Sequence, residues 1–342
     1  GRPRPSVSPH GSARGRPSPD PAPSAAAYSR AAASPASRGG ELTRTPRRYR
    51  LRRATVSAVV VILPTVLGAA CTRDDTASGR PEPSPSVLGH VHGLGIDPLN
   101  GGLYVATHGG LFRAGPTGLE KVGTSAAANR DLMGFLVVGP GVFLASGHPS
   151  PLEATPNPLG LVRSTDGGLS WQTIALSGEV DFHALAQGPG GIYGVDAEGS
   201  LRFSQDGGVR WEAWPAPPAL DVAADPHRPG HLVLAVVGGI AAVDGSAASA
   251  PGTPAPVVEP APQMAYLSWA PDGELFGLTT DARLLASPDG GASWLPRATV
   301  PGGRPQSLTA VGQGRVLAAT AGGVHESRDG GRTFTTLATM GT

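Results

Sequence analysis

The chain has 342 residues, enough for two average domains or for one large all-β domain, and it contains 50 glycines and 36 prolines. Residues 1–70 hold 12 of the 27 Lys and Arg residues but only 2 of the 26 Asp and Glu residues. Residues 71–342 therefore hold 15 basic residues and 24 acidic residues. Because phosphate binding requires clustered cations, this acidic body argues against nucleic acid as a partner.

The N-terminal segment, residues 1–53, is an Arg- and Pro-rich extension that ends in a basic stretch. Its first 40 residues are rich in Arg, Pro, Ser and Ala and show no apolar periodicity. Such a composition cannot bury enough apolar surface to offset the entropy lost on ordering the chain. We therefore predict that this leader is disordered.

Residues 54–71 have the layout of an export signal. A basic stretch precedes 17 mostly apolar residues, and small residues stand directly before Cys71. This apolar core is short for a membrane-spanning helix. The order LGAAC resembles the lipobox of bacterial lipoproteins, which implies lipidation of Cys71, although Gly68 stands where the large apolar residue usually lies. A plain membrane anchor and an ordinary secretory signal are the alternatives.

Residues 72–87, TRDDTASGRPEPSPSV, are predicted to be a linker between this anchor and the folded body. The expected location is therefore extracytoplasmic, with the protein attached through its lipid to the outer face of a bacterial cell membrane. Cys71 is the only cysteine in the sequence, so no internal disulfide can form.

Residues 88–342 are organised by a repeat of about 40 residues. The segment STDGGLSW returns as SQDGGVRW, SPDGGASW and SRDGGRTF, and we call these four segments the DGG boxes. Their aspartates are 40 residues apart between Asp166 and Asp206 and again between Asp289 and Asp329, whereas the middle interval is 83 residues, which is about two periods. A degenerate unit should lie in that interval, near Asp244.

Each unit contains short segments in which apolar residues alternate, with frequent glycines between them. This pattern is typical of β-strands and not of helices. Six such units fill residues 88–342, so we predict an all-β fold, a β-propeller with six four-stranded blades, with seven blades as the alternative count. No unit can bury both faces of its sheet alone, so radial stacking should supply the core. We expect the propeller to be a monomer.

The DGG boxes resemble the Asp-box or BNR repeat, S-x-D-x-G-x-x-W, of bacterial sialidases and other glycosidases, sortilin-type receptors and photosystem assembly factors. The wider pattern HVHGLGID…LYVATHGGLF…MGF…FLASGHP is similar to that of bacterial lipoproteins labelled BNR-repeat or glycosylhydrolase-like, whose activity is generally not established. The resemblance implies a propeller fold and no mechanism, and Phe334 departs from it by replacing tryptophan. The corresponding positions are Ser164, Asp166, Gly168, Trp171, Ser204, Asp206, Gly208, Trp211, Ser287, Asp289, Gly291, Trp294, Ser327, Asp329, Gly331 and Phe334.

Each DGG box falls between the third and fourth strands of its unit and is predicted to be a structural hairpin turn. The paired glycines supply positive φ angles, the Asp and Ser side chains bond to backbone groups of the turn, and the aromatic residue packs on the blade. The alternative is a catalytic carboxylate or a calcium ligand. One turn per blade would spread these carboxylates around the rim, whereas a reaction needs them to converge.

Five of the nine histidines map to the face opposite the DGG boxes, where first strands begin and second strands end. We predict that they form a ligand-binding cluster of His90, His92, His108, His148 and His183. His90 and His92 are two residues apart on one strand and should point the same way, so with His148 and His183 they could form a zinc or copper site. The alternative is a set of separate hydrogen-bonding histidines at a wet channel mouth.

A glycosidase would need two carboxylates roughly 5–10 Å apart across the scissile bond. The same face offers four candidates for catalytic acids, Asp131, Asp181, Asp196 and Asp281, without singling out a pair. A true sialidase is disfavoured because the arginine-clamp motif of that family is missing. Aromatic residues make up only 5% of the chain, which leaves few to stack on sugars. The sequence therefore favours binding of a ligand, a glycan or a protein partner, with a glycosidase-like hydrolase as the alternative.

Overall fold

The computed structural model describes residues 89–245 and 262–340. The predicted leader, the export signal, the lipidation site Cys71 and the linker lie outside the described residues. Within the described part of the chain, no helix is long and apolar enough to cross a membrane.

In these two ranges, 23 strands form six sheets, and every sheet consists of consecutive antiparallel strands. The first three sheets contain β1 (Val91–Ile96), β2 (Leu103–Thr107), β3 (Gly110–Gly115), β4 (Gly118–Lys121), β5 (Asp131–Gly139), β6 (Val142–His148), β7 (Leu161–Ser164), β8 (Gln172–Ala175), β9 (Phe182–Gly188), β10 (Gly191–Asp196), β11 (Leu201–Ser204) and β12 (Glu212–Ala213). The last three contain β13 (Ala219–Ala224), β14 (His231–Val236), β15 (Gly239–Asp244), β16 (Met264–Trp269), β17 (Leu275–Thr279), β18 (Arg283–Ser287), β19 (Leu295–Thr299), β20 (Pro305–Gly312), β21 (Arg315–Thr320), β22 (Gly323–Ser327) and β23 (Thr335–Thr339). A short 3₁₀ helix, Ala126–Asn129, joins the first two sheets.

The six sheets are the blades of a β-propeller, which confirms the predicted fold and excludes the alternative of seven blades. The first strands of the blades, β1, β5, β9, β13, β16 and β20, pack side by side around the centre, and β20 contacts β1 to close the ring. Five blades have four strands each, whereas blade 4 has three, β13–β15, within the described residues. All residues of β2 and β17 are buried, because each blade lies between two neighbours.

The hydrophobic core lies between neighbouring blades. Blade 1 packs on blade 6 through Val105 and Phe112 on one side and Leu317 and Val324 on the other. Similar clusters join blade 3 to blade 4 and blade 4 to blade 5. Radial stacking therefore supplies the core, as the sequence predicted.

The ring closes by hydrogen bonds and packing between the first and last blades. The buried N–H of Val91 in β1 donates to Gln306 Oε1 in β20 at 3.0 Å. Thr309 Oγ1 of β20 donates to the carbonyl oxygen of Leu94 in β1 at 2.8 Å. Each of these two blades is built from four consecutive strands, so no strand of the described residues is exchanged between them.

The DGG boxes are hairpin turns between the third and fourth strands, as predicted. In the first box Ser164 Oγ donates to Asp166 Oδ1 and accepts the N–H of Gly168, both at 2.8 Å, and Asp166 Oδ1 accepts the N–H of Ser170 at 2.9 Å. Gly167 and Gly168 have φ angles of 73° and 90°. The other three boxes repeat the bond from serine to aspartate and the bond from the second glycine to serine.

The second glycine of a box also packs against the third strand of the preceding blade, a role that the sequence did not reveal. A Cβ atom at Gly208 would lie 2.2 Å from Leu161 Cδ2, and one at Gly331 would lie 2.1 Å from Leu284 Cδ2. The half-buried Trp211 donates from Nε1 to the carbonyl oxygen of Gly208 at 2.8 Å. The box is therefore a contact between blades as well as a turn.

Candidate functional site

The five predicted histidines lie together at the channel mouth, at the ends of the strands opposite the DGG boxes. Blades 1, 2 and 3 supply them: His90 precedes β1, His92 lies on β1, His108 lies in the turn between β2 and β3, His148 ends β6 and His183 lies on β9. First strands begin and second strands end on this face, so residues distant in sequence meet here.

Close approach of the inner strands places these side chains. A Cβ at Gly93, next to His92, would lie 2.6 Å from Phe135 Cβ, and one at Gly134 would lie 2.7 Å from the carbonyl oxygen of Phe182. The register of β1 against β2 shifts between Val91 and Gly93. Such a bulge changes the direction of a side chain, and here it falls on His92.

His90, His92, His108 and Asp131 form a first cluster, which we call the three-histidine group. His90 Nδ1 lies 3.4 Å from His92 Nδ1, and His92 Nε2 lies 3.3 Å from His108 Nδ1. One ligand nitrogen from each ring lies within 4.8 Å of those of the other two. Asp131 reaches the same rings, with Oδ2 at 2.8 Å from His108 Nδ1 and Oδ1 at 3.6 Å from His92 Nε2.

Burial and neighbouring imidazoles keep His92 neutral. Its side chain is only 11% exposed. Burial, followed by repulsion from His90, His108, His183 and His148, lowers its pKa to about 3. Burial and then His108 also lower the pKa of His90. A neutral imidazole keeps a nitrogen lone pair, which is the form that binds a metal ion.

His148, His183 and Asp181 form a second cluster on blades 2 and 3, which we call the Asp181 group. Asp181 Oδ2 lies 3.0 Å from His183 Nε2 and 3.4 Å from His148 Nε2. The hydrogen bond with Asp181 is the main cause that raises the pKa of His183. His148 Nδ1 lies 2.7 Å from Oδ1 of Asn157, a residue of the loop between β6 and β7.

Each cluster contains a carboxylate oxygen that is buried and has no hydrogen-bond partner among the described residues. These atoms are Asp131 Oδ1 and Asp181 Oδ1. Buried polar atoms are nearly always paired, so an unpaired carboxylate oxygen beside imidazole nitrogens marks a place for a cation or an ordered water. The two clusters adjoin, because Asp131 on β5 and His148 on β6 are partners in register.

A largely buried ion pair, Arg130 with Glu153, holds the loop that carries Asn157. Arg130 donates from Nε and Nη2 to the two carboxylate oxygens of Glu153 at 2.8–3.2 Å. The hydrogen bond from Arg130 is the main cause that lowers the pKa of Glu153. Because Arg130 directly precedes Asp131, this pair ties the loop to the strand that supplies a carboxylate to the three-histidine group.

The mouth opens into the central channel, a cavity of about 390 Å³ to which all six inner strands contribute. His92 and His183 line it at the mouth, and most of the other lining residues are aliphatic or aromatic. Asp221 also lies in the wall, where burial raises its pKa to about 7 while its Oδ2 accepts the N–H of Leu267 at 2.7 Å. Burial and then Asp221 raise the pKa of the neighbouring Tyr266 to about 12.

Two of the predicted catalytic acids are held by arginines instead of by the histidine clusters. Asp196 is buried, accepts a hydrogen bond from Arg202 Nε at 3.0 Å and accepts the N–H of Ser200 at 2.8 Å. Asp281 is 61% exposed and accepts a hydrogen bond from Arg283 Nε at 2.9 Å. Both carboxylates therefore have local structural partners.

The other two predicted acids, Asp131 and Asp181, do reach the mouth, but each is bound by two imidazoles. The structure also groups the histidines differently from the predicted metal set. His108 joins His90 and His92, whereas His148 and His183 turn to Asp181. The sequence placed all five histidines on this face but gave no signal for this grouping, and Asn157 lies in an irregular loop that pointed to no partner.

The chain belongs to the structural class of six-bladed β-propellers, and comparisons with solved structures agree. A gluconolactonase from Xanthomonas campestris has a TM-score of 0.53 at 13% identity, over 68% of this chain and 85% of that one. A candidate gluconolactonase has a TM-score of 0.51 at 15% identity, over 71% and 89%. An ancestral GH74 enzyme has a TM-score of 0.49 at 14% identity, and the 72% of this chain that matches it spans only 37% of that chain.

No family model matches the sequence, and no curated protein matches it. At identities this low, the likeness to solved structures shows the propeller fold alone. A function for this protein must therefore be argued from its own site, the two histidine clusters at the channel mouth.

Proposed function

We propose that this protein is an exported, lipid-anchored propeller that binds a transition metal ion, zinc or copper, at the face opposite the DGG boxes. The observation that carries the proposal is the three-histidine group, in which three imidazoles offer nitrogens within 4.8 Å of one another. Imidazole is the commonest ligand that proteins offer to these metals.

The nitrogen separations support an ion of this kind. Two ligands at 2.0–2.1 Å from a tetrahedral ion lie about 3.3–3.4 Å apart. The closest nitrogen pairs of the group are 3.4 Å apart between His90 and His92, and 3.3 Å apart between His92 and His108. These pairs use different nitrogens of His92, so binding of one ion requires a ring to rotate. Asp131 can supply a fourth ligand or orient His108 through its hydrogen bond.

The alternative is that these histidines only form hydrogen bonds and bind no metal ion. Two observations favour a bound cation over that alternative. The pKa of His92 is lowered to about 3, so this ring does not gain a proton at neutral pH. Asp131 Oδ1 is buried and has no hydrogen-bond partner among the described residues, so the hydrogen bonds within the cluster leave it unsatisfied. A metal ion would bind the neutral ring and could pair with the free oxygen as well.

The membrane anchor in this proposal is supported by three features of the sequence, the basic stretch, the apolar segment and Cys71. Lipidation would hold the propeller at the outer face of the membrane through residues 72–87. Cys71→Ser should move the protein from the membrane fraction into the medium, and Cys71→Ala should do the same. Retention of both variants in membranes would contradict the lipid anchor without affecting the metal site.

A glycosidase-like hydrolase has less support. Glycoside hydrolysis uses two carboxyl groups that flank the scissile bond, one of them a free acid or base. Asp131 and Asp181 are the predicted acids that reach the mouth, and histidines contact both of them. We therefore expect no turnover of chromogenic glycosides, and turnover that is lost in Asp131→Asn would favour the hydrolase instead.

Metal binding is tested on the purified full chain, titrated with Zn²⁺ and with Cu²⁺ in a calorimeter after treatment with a chelator. Wild type should bind both ions, and His92→Ala should weaken binding by at least about 10-fold. His227→Ala replaces an exposed histidine outside both clusters and serves as the matched control. No binding by wild type, or equal binding by wild type and His92→Ala, would contradict the proposal.

A further inference from the structure

We propose that the Asp181 group is a second metal position, so that the channel mouth holds two transition metal ions on adjacent blades. The inference rests on the proposed function, which concerns the three-histidine group alone. The ligands of the second ion are His148 Nε2, His183 Nε2 and the carboxylate of Asp181. Two imidazoles and one carboxylate are a common set of protein ligands for zinc.

The contact with Asn157 determines which nitrogen of His148 is free. An amide oxygen only accepts hydrogen bonds, so the 2.7 Å contact with Asn157 Oδ1 places a proton on His148 Nδ1. In the neutral ring, Nε2 then carries a lone pair. Metal-binding histidines are held in this way, with one nitrogen on the ion and the other donating to an oxygen of the protein.

The free nitrogen of His148 faces a second electron-rich atom. Its Nε2 lies 3.4 Å from Asp181 Oδ2. The lone pair on this nitrogen and the negative carboxylate oxygen repel each other unless a proton or another cation lies between them. His183 Nε2 reaches the same oxygen at 3.0 Å. Asp181 Oδ1 is buried and has no hydrogen-bond partner among the described residues. Both ring nitrogens thus approach the same carboxylate oxygen, and one divalent ion beside that oxygen would balance its charge and offer both imidazoles a ligand position.

The second position is accessible and lies next to the first. The side chains of His148 and His183 are 40% and 41% exposed, so an ion can enter from solvent. His148 on β6 is the register partner of Asp131 on β5. The Cα atoms of such partners are about 4.5–5.5 Å apart. Two ions held by these groups therefore lie close enough for their unpaired electrons to interact when both are Cu²⁺.

The number of ions bound by the full chain tests this proposal. Wild type titrated with Zn²⁺ should bind two equivalents, and Asp181→Asn should bind one. Asn has almost the shape of Asp, and the carbonyl oxygen of Asp181, which accepts the N–H of Ala197 at 2.9 Å, is unaffected. Asp281→Asn, which removes an exposed carboxylate outside both clusters, should still bind two. His148→Ala provides a second variant that should bind one equivalent.

Electron paramagnetic resonance of the Cu²⁺ protein tests the distance between the two positions. With one equivalent, wild type should give the spectrum of an isolated ion with nitrogen ligands. With two equivalents, the signal should broaden through dipolar coupling, and Asp181→Asn should not show this change. Folding of each variant is checked by its thermal unfolding curve.

One equivalent in wild type that persists in Asp181→Asn and is lost in His92→Ala would overturn the second position and leave the first intact. Two equivalents in Asp181→Asn would also overturn it. No metal in any variant would contradict both the second position and the proposed function.

Discussion

The two glycines of a DGG box differ in their surroundings although both have positive φ. Gly207 has a φ of 77°, and a Cβ atom there would meet nothing within 4 Å. Gly208 has a φ of 94°, and its Cβ would lie 2.2 Å from Leu161 Cδ2 of the preceding blade. The first glycine is required by backbone conformation alone, whereas the second is required by conformation and by packing.

Alanine at these two positions should separate the two requirements. Gly207→Ala should lower the free energy of unfolding by about 1 kcal/mol, which is typical of alanine at positive φ. Gly208→Ala should lower it by about 3 kcal/mol, because overpacking against Leu161 is added. Unfolding in urea measures both values. Equal losses would show that the contact with the preceding blade contributes nothing.

Asp221 should make stability depend on pH. Burial raises its pKa in the folded protein to about 7, above the value of 3.8 for a free carboxyl group. Folding therefore favours the protonated form, and stability is lost as the pH rises from 4 through 7. Asn cannot lose a proton and can still accept the N–H of Leu267. The free energy of unfolding of Asp221→Asn should thus equal that of wild type at pH 4 and exceed it at pH 8.

At pH 8 the free energy of unfolding of Asp221→Asn should exceed that of wild type by an amount on the order of 2 kcal/mol. One pKa unit is worth about 1.4 kcal/mol, and water in the channel reduces the total because it screens part of the charge. Urea unfolding at pH 4, 6 and 8 measures it. Asp281→Asn is the control, because hydrogen bonds with Thr279 and Arg283 lower the pKa of that exposed carboxyl. A gain that does not change with pH would contradict a raised pKa for Asp221.

At the scale of strands and loops, ring closure depends on side chains of β20 that bond to the backbone of β1. Gln306 accepts the N–H of the fully buried Val91, and Thr309 donates to the carbonyl oxygen of Leu94. A buried N–H that loses its acceptor costs free energy, because water cannot replace the bond. These contacts matter for the whole ring, since they join the two blades that are farthest apart in sequence.

Gln306→Leu should therefore lower the free energy of unfolding by about 1–3 kcal/mol. Gln187→Leu makes the same substitution at an exposed position of another inner strand, and its effect should stay within about 0.5 kcal/mol. Chemical unfolding monitored by tryptophan fluorescence compares the two. A loss at position 306 no larger than that at 187 would contradict this account of ring closure.

The strands were predictable because the alternation of apolar residues and the spacing of glycines are local in sequence. Which side chains contact each other at the channel mouth was not predictable, because those contacts form between blades. The bulge at His92 and the close approach of β1 to β5 at Gly93 decide which rings meet. The loop between β6 and β7 has no periodicity, so nothing in the sequence connected Asn157 with His148.

At the scale of the whole molecule, the two ends of the strands have different roles. The DGG boxes occupy one end, where each stabilises its own turn and contacts the preceding blade. The histidines occupy the other end, at the mouth of the channel. Sequence periodicity predicted both the fold and this division between ends. It could not predict that His108, and not His148 or His183, completes the group with His90 and His92.

The proposed function depends on metal binding by the three-histidine group. X-ray absorption at the zinc edge of the full chain, loaded with one equivalent of Zn²⁺, reports the ligands of the bound ion. We expect nitrogen ligands at about 2.0–2.1 Å with the outer-shell scattering of imidazole rings, reduced in His92→Ala and unchanged in His227→Ala. A shell of oxygen ligands without imidazole scattering would contradict the proposed function.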